Sequence, residues 1–128
     1  MMKQDLKNKT ALVTGGAIRV GRGICLALAA AGCNVVIHYH RSRLEARQLA
    51  RELDLLGGQA WLVPGDLRCA PGCNQIFEKA LCQAGRVDFL INNAAVFHKQ
   101  PLATVSPSDL QTQLGVNLFA PLTLMQTF

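Results

Sequence analysis

Five places along this 128-residue chain combine residue types that can do chemistry. The first is Thr14-Gly15-Gly16-Ala17-Ile18-Arg19-Val20-Gly21-Arg22-Gly23, where glycines crowd the junction between an apolar run and a helix-period segment. Glycines at a strand-to-helix turn let the backbone approach a pyrophosphate, and the unpaired N–H groups of the following helix attract its charge. The spacing is not GxGxxG, and glycines also make ordinary tight turns, so both readings stay open here. The second is His38-Tyr39-His40-Arg41-Ser42, with no acid before Glu45. A carboxylate in that place would accept from a dinucleotide's ribose hydroxyls and repel a 2′-phosphate, whereas Arg41, Ser42 and His40 offer a cation and neutral donors. A basic turn leading into a helix is the competing reading. Gly65-Asp66-Leu67 and Asn92-Asn93-Ala94-Ala95 follow two further apolar runs. The fifth place is Asn117, four residues ahead of Pro121. Proline has no N–H, so the Asn117 carbonyl loses its helical partner, with a purely structural kink as the alternative.

Each of these places must stand at the end of an element, and the apolar pattern supplies the elements. Strand-length runs at Thr10–Thr14, Val35–Tyr39, Ala60–Val63 and Val87–Ile91 alternate with helix-period segments, as βαβ units of a parallel sheet require. Val20, Ile24, Ala27, Leu28 and Ala31 predict the buried face of a first helix that stops at Gly32. Ala46, Leu49, Ala50, Leu53 and Leu56 predict a second, ended by Gly57 and Gly58, and Ile76, Phe77, Ala80 and Leu81 a third. A last helix is expected from Ser106 to the final residue, because Ser106 can cap it, Pro107 suits its first position and Asp109 suits its positive end. The fold class expected is α/β: a Rossmann-type doubly wound parallel sheet, truncated to about four strands in the order 3-2-1-4, where a complete fold of this kind continues to 3-2-1-4-5-6.

Composition narrows the function classes. At 50% hydrophobic and 16% charged, the chain can bury one core and is too short for two ordinary domains. Ile24–Ile37 is broken by Gly32 and Asn34 and falls short of the roughly 20 residues of a membrane span. The polar stretch Met1–Lys9 offers no secretory signal, so a cytoplasmic location is expected, with no membrane partner. Cys25, Cys33, Cys69, Cys73 and Cys82 form no CxxC pair and read as reduced thiols; no metal site is expected. The net charge of +5 permits an acidic ligand, but Arg43, Arg47 and Arg51 lack interleaved aromatics and read as a solvated helix face, so no nucleic-acid partner is expected.

Taken together, the motifs resemble those of short-chain dehydrogenases/reductases over essentially the whole chain. Thr14, Gly15, Arg19 and Gly21 are similar to the TGxxxGxG turn in the variant of pteridine reductases, whose middle glycine is an arginine. His40-Arg41-Ser42 looks like the 2′-phosphate site of that group, Asp66-Leu67 like the pair that brackets adenine, and Asn93-Ala94-Ala95 like part of NNAG, with Ala95 in place of the glycine or serine. The resemblance implies that residues 1–128 are the N-terminal part of a single NADP-binding Rossmann domain. It implies NADP(H) as cofactor, held by Gly15, Arg19, Val20, Gly21, His40, Arg41, Ser42, Asp66, Leu67, Asn93, Ala94 and Ala95. Phe97 aligns with an aromatic residue that stacks on a pterin ring, core packing being its alternative. Asn117-Leu118-Phe119-Ala120-Pro121 is similar to N-x-x-A-P, whose asparagine belongs to the catalytic tetrad and holds a relay water with its carbonyl. The family's reaction is hydride transfer from NADPH to a carbonyl or C=N bond of a small-molecule substrate, with a Tyr as acid and a Lys lowering its pKa. No YxxxK occurs here: Tyr39 has no lysine four residues on. The complete form is expected to be a homo-oligomer. An NADP-binding sensor without turnover and an inert truncated product are the readings from other classes.

Overall fold

The computed structural model describes residues 6–128, so Met1 to Asp5 of the polar N-terminal stretch lie outside the described residues. Strands β1 (Thr10–Val13), β2 (Asn34–Tyr39), β3 (Ala60–Pro64) and β4 (Phe89–Ile91) alternate with helices α1 (Arg19–Ala30), α2 (Arg43–Leu55) and α3 (Ala70–Ala84). All pairings are parallel and the order is β3-β2-β1-β4, as predicted. The pleat sends alternate residues to two cores. Leu12, Val36 and Val63 cluster with Ile76, Phe77 and Leu124, while Val13, Val35 and Ile37 cluster with Cys25, Leu49 and Leu53. Helices therefore cover both faces of the sheet, the arrangement that parallel strands need.

Beyond β4 the chain runs through a 3-10 turn (Leu102–Thr104) into α4 (Pro107–Leu114), a π-helical turn (Gly115–Phe119) and α5 (Ala120–Thr127). Ser106 and Asp109 form the expected cap reciprocally: the Ser106 hydroxyl accepts from the Asp109 N–H at 3.1 Å, and the Asp109 carboxylate accepts from the Ser106 N–H at 2.9 Å. The single predicted helix is thus wound as π over its middle turn. Pro121 withholds the N–H that the Asn117 carbonyl would need in an α-helix, and the backbone adopts the wider winding directly before it.

Two local expectations are corrected. The buried face of α1 is Gly21, Cys25 and Ala29, whereas Val20 is 70% exposed and Ala27 is exposed. Hydrophobic periodicity favours bulky residues, but this helix lies so close to the sheet and the preceding turn that only small side chains fit beneath it. The fourth strand begins at Phe89 rather than Val87, and it is only partly buried. Asp88 accounts for the late start, because its carboxylate accepts from the Thr10 N–H at 2.9 Å and also pairs with Arg86. β4 is the outer strand of the described sheet, with β1 as its one partner, which leaves Phe89 accessible. No described helix is long and apolar enough to cross a membrane.

Candidate functional site at the strand ends

The turn after β1 is built by hydrogen bonds to its neighbours. Thr14 is buried, and its hydroxyl donates to the Ile91 carbonyl at 3.3 Å while accepting from the N–H groups of Asn93 and Ala94, each at 3.1 Å. The Asn93 side-chain amide returns two bonds, to the carbonyls of Thr14 at 3.0 Å and Gly15 at 3.1 Å. The ends of β1 and β4 are thereby held in fixed register. Gly15 sits at φ +60°, where glycine carries no steric penalty. Arg19 sits at φ +52°, a conformation that disfavours an L residue by about 1–2 kcal/mol.

The start of α1 is bare. Its N-cap residue, Ile18, makes no side-chain capping bond, the first turn holds no acid, and the first helical bond runs from the Arg22 N–H to the Ile18 carbonyl at 3.2 Å. The N–H groups of Arg19, Val20 and Gly21 therefore lack helical acceptors and make an electropositive cradle. Gly21 fits only as glycine, since a Cβ there would strike the Gly15 carbonyl oxygen.

A cleft of about 470 Å³ opens over the carboxyl ends of the strands. The β1 turn contributes Gly15, Arg19, Val20 and Gly21, and the end of β2 contributes His40, Arg41 and Ser42. Asp66 and Leu67 line it from β3, and Asn93, Ala94 and Ala95 from β4. All the residues predicted to meet a dinucleotide thus share one cavity. Ser42 is the N-cap residue of α2 yet makes no capping bond with its side chain, so its hydroxyl is not spent on the helix. Phe97 and Asn117 are not among the lining residues. Phe97 is 81% exposed and does not pack into either described core. Asn117 clasps the segment after β4, accepting from the Val96 N–H and donating to the Val96 carbonyl, both at 2.8 Å.

Arg68 and His38 are two of the lining residues to which the sequence assigned no binding role. Arg68 grips Asp66 through its Nε at 2.8 Å and a terminal nitrogen at 2.6 Å, and this guanidinium holds the Asp66 carboxyl down at about 2. His38 is buried, with Nδ1 accepting from the Gly15 N–H at 3.1 Å and Nε2 lying 3.1 Å from the Gly65 carbonyl. A signal for His38 was present in the sequence. A polar residue inside a strand covered on both faces must find partners, and the nearest strand-end loops are the ones that supply them.

Solved structures share this fold. A blue fluorescent protein from a metagenomic library, in complex with NADPH, is 34% identical; the match covers 97% of this chain and 51% of that one at a TM-score of 0.92. The landomycin C-6 ketoreductase LanV, with bound NADP and rabelomycin, is 31% identical, with 95% and 52% covered and a TM-score of 0.88. Among curated relatives, the hydroxynaphthalene reductase arp2 of Aspergillus fumigatus is 31% identical, over 88% of this chain and 41% of its own length. The short-chain dehydrogenase/reductase FrzI of a Cladobotryum species is 33% identical over 95% of this chain and 47% of its own. The chain therefore spans somewhat less than half the length of these curated relatives. The profile of short chain dehydrogenases matches residues 9–128, and with the parallel 3-2-1-4 sheet and its strand-end cleft this establishes that the chain belongs to the short-chain dehydrogenase family.

Proposed function

We propose that this chain binds NADP(H) in the strand-end cleft and supplies the cofactor-binding part of an NADPH-dependent oxidoreductase. The carrying observation is that the bare α1 N-terminus, Arg19 and the acid-free end of β2, with Arg41, His40 and Ser42, line one cavity. That donor set suits a pyrophosphate at one end and a 2′-phosphate at the other. Keeping an arginine at a backbone position that favours glycine supports a role for its side chain. The relatives crystallised with NADP or NADPH support the same cofactor.

In this reading Gly15, Val20 and Gly21 bring the backbone close to the pyrophosphate, Leu67 and Asp66 flank the adenine, and Asn93, Ala94 and Ala95 form the floor under the ribose. Arg68 modifies the expected role of Asp66, since an adenine amino group must share a carboxylate that already accepts from a guanidinium. When bound, NADPH supplies a hydride; the reduced bond is a carbonyl or a pteridine-type C=N of a small molecule. The pteridine-reductase-like subtype rests on Arg19 and the His38–Ser42 run, and Phe97 is its candidate stacking surface. Asn117 is the candidate catalytic residue, with its carbonyl released by Pro121. Assembly as a homo-oligomer in the cytoplasm belongs to the same proposal for the complete enzyme.

Arg41→Ala tests the cofactor assignment. A hydrogen bond to a charged group contributes roughly 1.5–3 kcal/mol, so NADPH should bind at least about tenfold more weakly while NADH is almost unaffected. Calorimetric titration of both proteins with both ligands gives the four affinities. Equal losses would make Arg41 a structural residue, and a wild-type preference for NADH would overturn the assignment.

The 128 residues alone are expected not to oxidise NADPH with dihydrobiopterin, dihydrofolate or quinones, because the sequence holds no YxxxK pair and general acid catalysis contributes about 10²–10⁴-fold. Turnover by the homogeneous chain that Asn117→Ala abolishes would contradict this.

A further inference from the structure

His38 is a buried titratable side chain with no part in the binding described above. It is 2% exposed, next to last in β2, and surrounded by strands on both sides. The Gly65 carbonyl is purely an acceptor, so Nε2 must carry the proton and donate to it; Nδ1 is then unprotonated and accepts from the Gly15 N–H. The His38 carbonyl also accepts from the Gly16 N–H at 2.9 Å. One residue therefore holds the turn after β1 on one side and the loop after β3 on the other. Both neighbours are closely constrained. The Gly15 carbonyl is gripped by Asn93, and a Cβ on Gly65 would run into the Ile76 side chain.

We propose that His38 is a positioning residue for the dinucleotide: its neutral imidazole, bridging the Gly15 N–H to the Gly65 carbonyl, sets the spacing between the phosphate-side turn and the adenine-side loop. This rests on the NADP(H) reading, and it assigns His38 a role distinct from that of Arg41 three positions later. Both residues line the cleft, but Arg41 brings a charge to it, whereas His38 acts through two backbone groups, one on the turn after β1 and one on the loop after β3. Because the Gly15 N–H is satisfied inward, the turn keeps a single orientation before any ligand arrives, and pre-organisation of this kind appears as affinity.

Side-chain geometry separates the two bonds. His38→Asn keeps an acceptor at the depth of Nδ1, within reach of Gly15, while His38→Gln puts an amide donor at the depth of Nε2, within reach of Gly65. His38→Phe fills the volume and keeps neither. The expected result is that His38→Phe binds NADPH about tenfold more weakly, while His38→Asn and His38→Gln, each of which breaks one end of the bridge, lie between it and wild type. Long-range ¹H–¹⁵N NMR of the wild-type chain without nucleotide should find the Nε2–H tautomer, with the Gly15 amide protected from exchange.

NADPH affinities equal to wild type in His38→Phe would overturn the inference. Should His38→Phe not fold, wild-type affinities of both His38→Asn and His38→Gln would overturn it instead. A protonated Nδ1 or an exchanging Gly15 amide in the wild-type chain would do so without any ligand. Failure of wild type to bind NADPH, with the tautomer as expected, would overturn the cofactor reading and with it any role in positioning a dinucleotide.

Discussion

Gly21→Ala should cost this fold about 3 kcal/mol or more and remove nucleotide binding, although it adds a single methyl group. A Cβ at Gly21 would run into the carbonyl oxygen of Gly15 and lie 2.6 Å from Nδ2 of Asn93. Neither obstacle is the free end of a flexible chain. The Gly15 carbonyl belongs to the left-handed turn, and the Asn93 amide is committed to two carbonyls, so accommodating the methyl means moving the turn away from β4. Overpacking of this sort costs roughly 1–3 kcal/mol, and losing the Asn93 bonds adds about 1 kcal/mol each. Gly23 supplies the control within the same helix. A Cβ there meets nothing within 4 Å, so Gly23→Ala should stabilise by about 0.5–1 kcal/mol through helix propensity and leave NADPH affinity unchanged. Urea denaturation and calorimetric titration of both variants distinguish the cases. Similar behaviour of the two would show that α1 does not pack against the turn as described.

The same close approach explains what the sequence could and could not reveal. Strand order, the layering of helices and the cleft residues that stand in strand-end motifs were legible because βαβ alternation and such motifs are one-dimensional signals, readable without knowing which atoms touch. The buried face of α1 was not legible from periodicity, since Gly21, Cys25 and Ala29 score weakly beside Val20 and Ile24. Helix–sheet distance decided it, and distance is not written in hydropathy. Asp88 displaced the start of β4 in a similar way, by substituting a carboxylate for a backbone acceptor. Arg68 illustrates a third kind of miss. It stands two residues beyond Asp66 in a position any solvated arginine could occupy, and only the turn between β3 and α3 folds it back onto the carboxylate. His38 was the recoverable one, because a buried imidazole in a doubly covered strand always demands two partners.

That demand gives the chain a pH-dependent stability with a defined window. Burial pushes the His38 imidazole down to about 4 from the ordinary 6.5, opposed by its bond to the Gly65 carbonyl; of the charged groups that reach it, His40 lowers it further and Asp66 raises it. With a folded pKa below the unfolded one, the unfolded chain takes up the proton first. Above about pH 6.5 both states are neutral and the histidine has no effect on stability; as pH falls from 6.5 towards 4 the unfolded state gains, and the fold loses about 3 kcal/mol across that interval. Below about 4 both states carry the proton and the loss stops growing. The lowered carboxyls act in a separate range. Asp66, held at about 2 chiefly by Arg68, withdraws its contribution only as pH falls below its ordinary 3.8. Protonation at Nδ1 would also abolish the acceptor for the Gly15 N–H, but in the fold this happens only near pH 4, so NADPH affinity should hold while stability declines and fall only there. Urea titrations of wild type and His38→Asn between pH 7 and 4 read the difference directly, because the asparagine cannot titrate. Wild type should show the steeper fall. Parallel curves for the two proteins across that range would mean that His38 accepts its proton as readily in the fold as in the open chain, and the buried bridge would have to be abandoned.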